Sequence, residues 1–514
     1  MGARFWRGGL PAAAKALLAA ATALLLQPPA RAIDEVVVEL PLLQNTLTVK
    51  LSELTSAQAL ISGDSDLAEL DRASDGELGR KLLKLLNQPV PMSFRQIAET
   101  SVGSALLEQA LLLVSSFGTV EGQSADLTGE SLKEALQRAT AASPDGVPTL
   151  LQLMQAIPGE RVRLDLARTQ VILARMMRHR RQAERLMAET PVAPSADQPV
   201  DGPVLVAAQQ LPVGHRPEPL DLVVIQPQAG ANGRLVLISH GLWDSPANFE
   251  GWGRVLAAQG YTVVLPRHPG SDKQQQHDVL TGHAPPPSAA ELGLRALDLR
   301  AVTDAVSNGG IKGVTGVNTS QVVVIGHSWG ATTALQLAGL KPEDTAMRQR
   351  CDDVDDPDRN LSWALQCSWM TGVDQADIVD PRVIAVAAVS PPVSLLFPRG
   401  SGSKLSARVL LVSGTHDWVV PPDPEALAPF SLTPPHGNQL VLVKGGDHFN
   451  LRPVKSANGG VLSPLLLEWT NRAFQAGATV RPADGAAPLM PVGPWGNADK
   501  PMADVTGTLK RQPS

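Results

Sequence analysis

The 514-residue chain has little cysteine and little aromatic surface: two Cys, one Tyr and 4% aromatics in all. Two cysteines cannot build the dense disulfide framework of small secreted modules, so a hydrophobic core must hold this chain together. Scarce aromatics leave no stacking platform for bases. A net charge of −6 without any long acidic or basic block gives no electrostatic footprint for nucleic acid, and no nucleic-acid partner is expected. Long hydrophobic runs are also missing; none reaches the about 20 residues that a membrane-spanning helix needs. What is there is globular in balance, 43% hydrophobic and 18% charged, over a length that suggests two or three units.

The beginning of the chain has the make-up of an export signal. Arg4, Arg7 and Lys15 precede the short apolar run Ala16–Leu26, and Ala30-Arg31-Ala32 fits a small-residue cleavage site. Residues 1–32 are expected to be a signal peptide cut after Ala32; a buried helix and a retained anchor are the competing options. Export, periplasmic or secreted, means an oxidising compartment. Cys351 and Cys367 are therefore expected to form a disulfide, closing a loop worth about 3 kcal/mol in the chain-entropy model. Two free buried thiols are the alternative, and with no histidine beside the pair a metal site is not expected there.

Hydrophobic periodicity divides the rest. Val36–Leu40 and Leu47–Val49 suggest a short hairpin, after which the pattern is helical to Met187, over Gly79–Leu86, Ile97–Val114, Leu132–Ala139 and Leu164–Met187. Residues 33–189 thus read as a mainly helical N-terminal domain without a catalytic motif. Arg178, Arg180 and Arg181, with His179, read as a solvated helix face; contact with an anionic membrane surface is the sharper option. Residues 190–203 carry four prolines and read as a linker. From 204 to 475, apolar strand-like runs at Leu222–Ile225, Leu235–Ser239, Thr262–Leu265, Val322–Ile325, Val383–Val389, Val409–Ser413 and Leu440–Val443 alternate with helical stretches. Such alternation implies an α/β domain with a mostly parallel sheet covered on both faces. Residues 476–514, rich in Pro, Gly and Ala without a period, are expected to be a disordered tail.

One stretch carries the chemistry. Val322-Val323-Val324-Ile325 reads as a buried strand, Gly326-His327-Ser328-Trp329-Gly330 fits G-x-S-x-G, and a helix follows. At a strand-to-helix turn of this kind the serine takes a strained backbone that thrusts its hydroxyl outward, which makes Ser328 the candidate nucleophile. A serine nucleophile needs a base and the base an orienting acid. Sites in open parallel sheets form at strand carboxyl ends. Two later strand ends supply Asp417, with Asp423 as fallback, and His448 on a glycine-flexed loop. Asp447 adjoins His448 too closely to orient it, and His416 reads as a surface histidine. For the oxyanion hole the expected donors are the backbone N–H groups of Trp329 and of Leu242, in the His240-Gly241-Leu242 loop. His240 reads as structural. His268, His277 and His283 read as solvated loop histidines, and neither a metal nor another cofactor is expected.

These pieces resemble the α/β-hydrolase fold over residues 203–475. More narrowly, they resemble the plasma-type platelet-activating-factor acetylhydrolase and dienelactone-hydrolase-like group. The matching segments are Ser239-His240-Gly241, the loop Pro266–Ser271, Arg295-Ala296-Leu297-Asp298, the serine motif and Gly446-Asp447-His448-Phe449. The group usually has phenylalanine after the serine and a further glycine after the motif, where this chain has Trp329 and Ala331. Residues 33 to about 165 resemble a helical domain of unknown function that precedes such hydrolases in exported bacterial proteins, where the paired cysteines also recur. The resemblance implies hydrolysis of carboxylic esters, short-acyl or lipid acetyl esters among them, with a small-molecule or lipid substrate and peripheral membrane contact as an option. A peptidase or acyltransferase can use the same triad. A non-catalytic scaffold is the contrasting class, and survival of all three triad members argues against it. Aspartate or cysteine in place of Ser328 would have pointed to a dehalogenase, an epoxide hydrolase or a dienelactone hydrolase proper.

Overall fold

In the computed structural model, described residues run from 32 to 509. Excepted are 41–44, 91–94, 96–101, 103–104, 116, 123–126, 198–201, 282, 354, 370–377, 434–435, 454–457 and 478–480. The expected signal segment lies outside the described residues, save Ala32. Described residues up to 98, with 114–169, form one compact unit; 99–113 and 170–509 form a second.

The first unit is helical, as its periodicity implies, and it also contains a four-stranded sheet of order β2-β1-β4-β3. β1 (Glu35–Leu40) and β2 (Asn45–Lys50) are the expected antiparallel hairpin. β3 (Gly118–Glu121) and β4 (Arg161–Asp165) escaped a periodicity reading, because each is short and neither has a buried residue to mark one face. Helices α1 (Asp66–Ala73), α2 (Glu77–Leu86), α3 (Gly129–Ala142) and α4 (Leu150–Ala156) belong here. α3 and α4 each begin with a threonine capping box, which satisfies two orphan N–H groups at each start. Val36, Leu51, Leu54, Leu60, Leu67 and Leu151 lie in its core.

A long helix, α5 (Leu166–Glu189), passes from the first unit into the second. The expected domain boundary at residue 189 therefore moves to 169. The reason is the stripe Ala183, Leu186 and Met187, which joins the main core of the second unit. Arg178, Arg180 and Arg181 are exposed as expected. His179, by contrast, is buried and bonded through Nδ1 to Asp423 at 3.0 Å.

The second unit is built on nine strands in the order β13-β12-β11-β10-β9-β7-β8-β6-β5. Its parallel centre comprises β7 (Arg234–Ser239), β8 (Thr262–Pro266), β9 (Asn318–His327), β10 (Val383–Val389), β11 (Arg408–Gly414) and β12 (Gln439–Val443). Two antiparallel strands, β5 (Val204–Leu211) and β6 (Leu220–Pro227), finish one edge. The central strands are buried along nearly their whole length because helices cover both faces, which is why they read as continuous apolar runs. On one side lie α7 (Ala290–Ser307) and α8 (Trp329–Leu337); on the other, α6 (Glu250–Ala258) and α11 (Ser463–Ala476).

The tail expectation is corrected. β13 (Met502–Asp504) pairs antiparallel with β12, and Trp495, Met502, Ala503 and Val505 are buried. The proline-rich linker runs beside it: Ala193 N–H donates to the Met502 carbonyl at 2.8 Å, and Ser195 bridges Gly496. Three strand residues with irregularly spaced apolar anchors generate no period, so composition alone suggested disorder.

Candidate active site

β9 ends at His327, and Ser328 follows with φ 52° and ψ −122°. This left-handed conformation costs on the order of 1–3 kcal/mol for a non-glycine residue. The turn that imposes it exists because Gly326 and Gly330 lack side chains. A Cβ on Gly326 would lie 2.1 Å from the Gly330 carbonyl oxygen, and one on Gly330 would lie 2.0 Å from that of Ser239. Nine-tenths of Ser328 is buried. Its Oγ lies 3.1 Å from Nε2 of His448, and Nδ1 of His448 lies 3.0 Å from Oδ2 of Asp417.

Each partner is held from behind. Asp417, beyond the end of β11, is fully buried at its side chain, and its Oδ1 accepts N–H bonds from Val419 at 3.0 Å and Val420 at 2.8 Å. His448 follows β12 through Gly445-Gly446, and the Gly446 carbonyl accepts the N–H of His416 at 2.8 Å, tying the loops of Asp417 and His448 together. His327 donates from Nε2 to the His448 carbonyl at 2.9 Å. Burial first, and then the neighbouring His448, hold His327 well below the ordinary histidine range, so it stays neutral in this role. In the tautomer that donates Nδ1–H to Asp417, Nε2 of His448 is the acceptor for the serine hydroxyl.

The other expected residues are placed as follows. The loop after β7 passes directly over the serine: a Cβ on Gly241 would lie 3.3 Å from Ser328 Cβ. Leu242 follows Gly241 in that loop, and Trp329 follows Ser328 at the start of α8. Asp423 is engaged with His179, and Asp447 accepts the N–H groups of Phe449 and Asn450, so neither bonds His448 through its carboxylate. His416 pairs with Glu184 on α5. Cys351 and Cys367 are joined in a disulfide. That bond ties the last turn of α9 (Asp344–Asp352) to Cys367, just past α10 (Ser362–Gln366), whose Ser362 N–H donates to the Val419 carbonyl at 3.1 Å. No cluster able to hold a metal is found among the described residues.

One expectation about histidine is overturned. His268 is fully buried, and burial pushes its imidazole down to about 3. It belongs to a polar assembly behind the loop after β7 that motif reading missed. Nδ1 of His268 bonds Asp298 at 2.8 Å and Nε2 bonds Ser239 at 3.0 Å. Arg216 forms a two-pronged pair with Asp298 at 2.9 and 2.8 Å and also meets Glu291 at 3.0 Å, while His215 bonds Asp298 at 2.7 Å. Burial alone would raise the Asp298 carboxyl; hydrogen bonds from His215, His268 and Arg216 outweigh it and hold the group low. Arg295, wholly buried and pushed down to about 10 by that burial, donates to the His240 carbonyl and to Ser271 Oγ at 3.0 Å. The available signal was Arg295 and Asp298 on the same stripe of α7 as Leu292, Leu299 and Val302, charges where a core-facing helix places apolar groups.

An apolar cavity in this unit, lined by Leu335, Leu340, Phe397, Val409, Leu411 and Phe430, adjoins the first half of β11, the end opposite Asp417. Ser328 and His448 do not line it.

Residues 234–347, from β7 past the serine turn, match the family model described as the alpha/beta hydrolase fold. No curated protein matches the chain. The second unit has the α/β-hydrolase fold: a large, mostly parallel sheet flanked by helices, with the matched segment at its centre. The match supports a hydrolase.

Proposed function

We propose that the chain is an exported serine hydrolase that cleaves carboxylic esters through Ser328, His448 and Asp417. The observation that carries this is the serine at φ 52° with its hydroxyl 3.1 Å from an imidazole that is itself 3.0 Å from a buried carboxylate. Ser328 Oγ attacks the ester carbonyl while His448 Nε2 takes its proton, and Asp417 stabilises the imidazolium that results. The backbone N–H groups of Trp329 and Leu242 receive the oxyanion. As the intermediate collapses, His448 returns the proton to the departing alcohol, leaving an acyl group on Ser328. A water, deprotonated by His448, then releases the acid.

The formed disulfide favours an oxidising compartment, and no helix among the described residues is long and apolar enough to cross a membrane. Short-acyl or lipid acetyl esters are the substrate class, in keeping with the resemblance to the platelet-activating-factor acetylhydrolase and dienelactone-hydrolase-like group. A fluorophosphonate probe tests the whole reading. One adduct mapped to Ser328 and abolished by Ser328→Ala is expected; a folded Ser328→Ala variant with unchanged ester turnover would overturn it.

A further inference from the structure

Two large aromatic side chains are half exposed at the mouth of this site, Trp418 at 50% and Phe449 at 50%. Single exposed apolar residues are common and mean little, but a contiguous pair beside reacting groups is different. Trp418 directly follows Asp417, and Phe449 directly follows His448. Their rings are 6.3 Å apart at 54°, and the Phe449 ring meets the His448 imidazole edge-on at 5.5 Å.

Both rings are held in place. The N–H bonds from Val419 and Val420 to Asp417 fold the chain tightly around Trp418. Asp447 caps the turn that carries Phe449, accepting its N–H at 2.8 Å. The Arg452 guanidinium sits 5.3 Å from the Phe449 ring centre and is anchored by Asp244 at 2.6 Å. These fixtures lower the ordering cost of binding a ligand against the rings.

We infer that Trp418 and Phe449 form an aromatic lip that binds the alcohol portion of the ester, selecting alcohols with a flat apolar group. The side of the site is fixed by proton transfer. The imidazole that protonates the leaving oxygen must stand next to it, so whatever packs on the outer edge of His448 faces the departing alcohol. The acyl group lies toward the Leu242 and Trp329 loops. A planar ring laid against two aromatic side chains gains dispersion and stacking beyond simple burial, roughly up to tenfold in affinity per ring.

This inference rests on the triad reading above, and methyl, benzyl and 2-naphthylmethyl acetates separate the two. The acyl group is constant and the three alcohols are of similar acidity, so differences report recognition of the alcohol. In the full-length chain we expect kcat/KM to rise in that order, by about tenfold or more overall. Trp418→Ala and Phe449→Ala should each cut the naphthylmethyl-to-methyl ratio by roughly five- to tenfold, mainly through KM, and Phe449→Tyr should keep it. Leu205→Ala, an exposed leucine on the edge strand β5, serves as the control that leaves the ratio unchanged. A flat series, or variants that slow all three esters equally, would overturn the lip and assign the rings to holding His448 and Asp417. Loss confined to substrate presented in phosphatidylcholine vesicles would also overturn it, in favour of a lipid-surface contact. Absence of both hydrolysis and a Ser328 adduct would instead remove the triad reading.

Discussion

Two polar assemblies meet at the loop after β7, and they are built on opposite rules. The Ser328–His448–Asp417 chain has few members, keeps its serine within reach of the surface and leaves His448 Nε2 facing the hydroxyl. The assembly of Arg216, Glu291, Arg295, Asp298, His215 and His268 is larger. It is buried except at His215, and it is saturated with opposed charges and hydrogen bonds. The first is a single line of three groups ending at a hydroxyl; the second bonds its members mainly to one another and fixes the neighbouring backbone at the Pro269 and His240 carbonyls. A buried charge is thus no guide to reactivity, whereas a strained residue with an imidazole at its hydroxyl is.

The largest test of that contrast removes the hydroxyl. Ser328→Ala should lower kcat for ester hydrolysis by on the order of 10⁵-fold or more, since a nucleophile and its base act as a unit. Ser328→Gly should be equally inactive yet melt higher than the parent, because glycine relieves the strain at φ 52°. Melting curves and single-turnover assays on both variants check the pair. Residual turnover near parental levels would break the comparison on the catalytic side.

Arg216→Met probes the larger assembly. It leaves Asp298 and Glu291 buried without their cation, which typically costs about 3–5 kcal/mol. Urea denaturation should register that loss, while activity per folded molecule at 25 °C falls far less than in the Ser328 variants. Buried histidines in and beside the two assemblies set a pH dependence. His268 is held at about 3 in the fold against about 6.5 when unfolded, and His240 and His327 are also displaced downward, chiefly by burial. The unfolded chain therefore binds more protons below pH 6.5. Stability should fall as pH drops from 6.5 toward 4, by up to about 1.4 kcal/mol per pH unit for each such histidine. A stability plateau across that range would show that these imidazoles are charged in the fold.

The two assemblies also differ in how far the sequence discloses them. Ser328, Asp417 and His448 each follow a central strand whose apolar run is unmistakable, and chain order then assigns them. The fold core was legible for the same reason. Arg216, Arg295 and Asp298 are scattered over a loop and one helix, and only three-dimensional packing brings them together. β5 and β13 lie at sheet edges, where a half-exposed or three-residue strand carries no period. His268 looked solvated because it lies in a polar loop, yet the start of that loop, through Ser271 and Asp272, is buried.

The disulfide tests a smaller term. Cys351 and Cys367 enclose a loop with a sequence separation of 16. Replacing both by serine should cost about 3 kcal/mol in the chain-entropy model. Because Ser362 within that loop bonds Val419 beside Asp417, the double variant should also lose activity on warming before the remainder of the domain melts. Coincident loss of activity and of far-ultraviolet circular dichroism would contradict that coupling.

Acyl-chain preference is the smallest expected effect. Trp329 follows the serine directly, is 4% exposed, and belongs to the main core of the second unit. A fixed indole of that size cannot retreat from a long acyl group as a flexible side chain would. An apolar cavity in this unit lies toward the far end of β11 and is not lined by Ser328. Forcing extra methylenes against a packed wall typically costs ~1–3 kcal/mol, about one to two decades in rate. Acetyl and butyryl p-nitrophenyl esters should therefore exceed the palmitoyl ester in kcat/KM. Trp329→Leu should shift the optimum toward longer chains by opening the wall while leaving the backbone N–H in place. A parental maximum at about twelve carbons or beyond, at the length where overpacking should be most costly, would mean that the acyl group leaves the site by another path. In that case the aromatic lip, and not the Trp329 indole, would set the size of the ester.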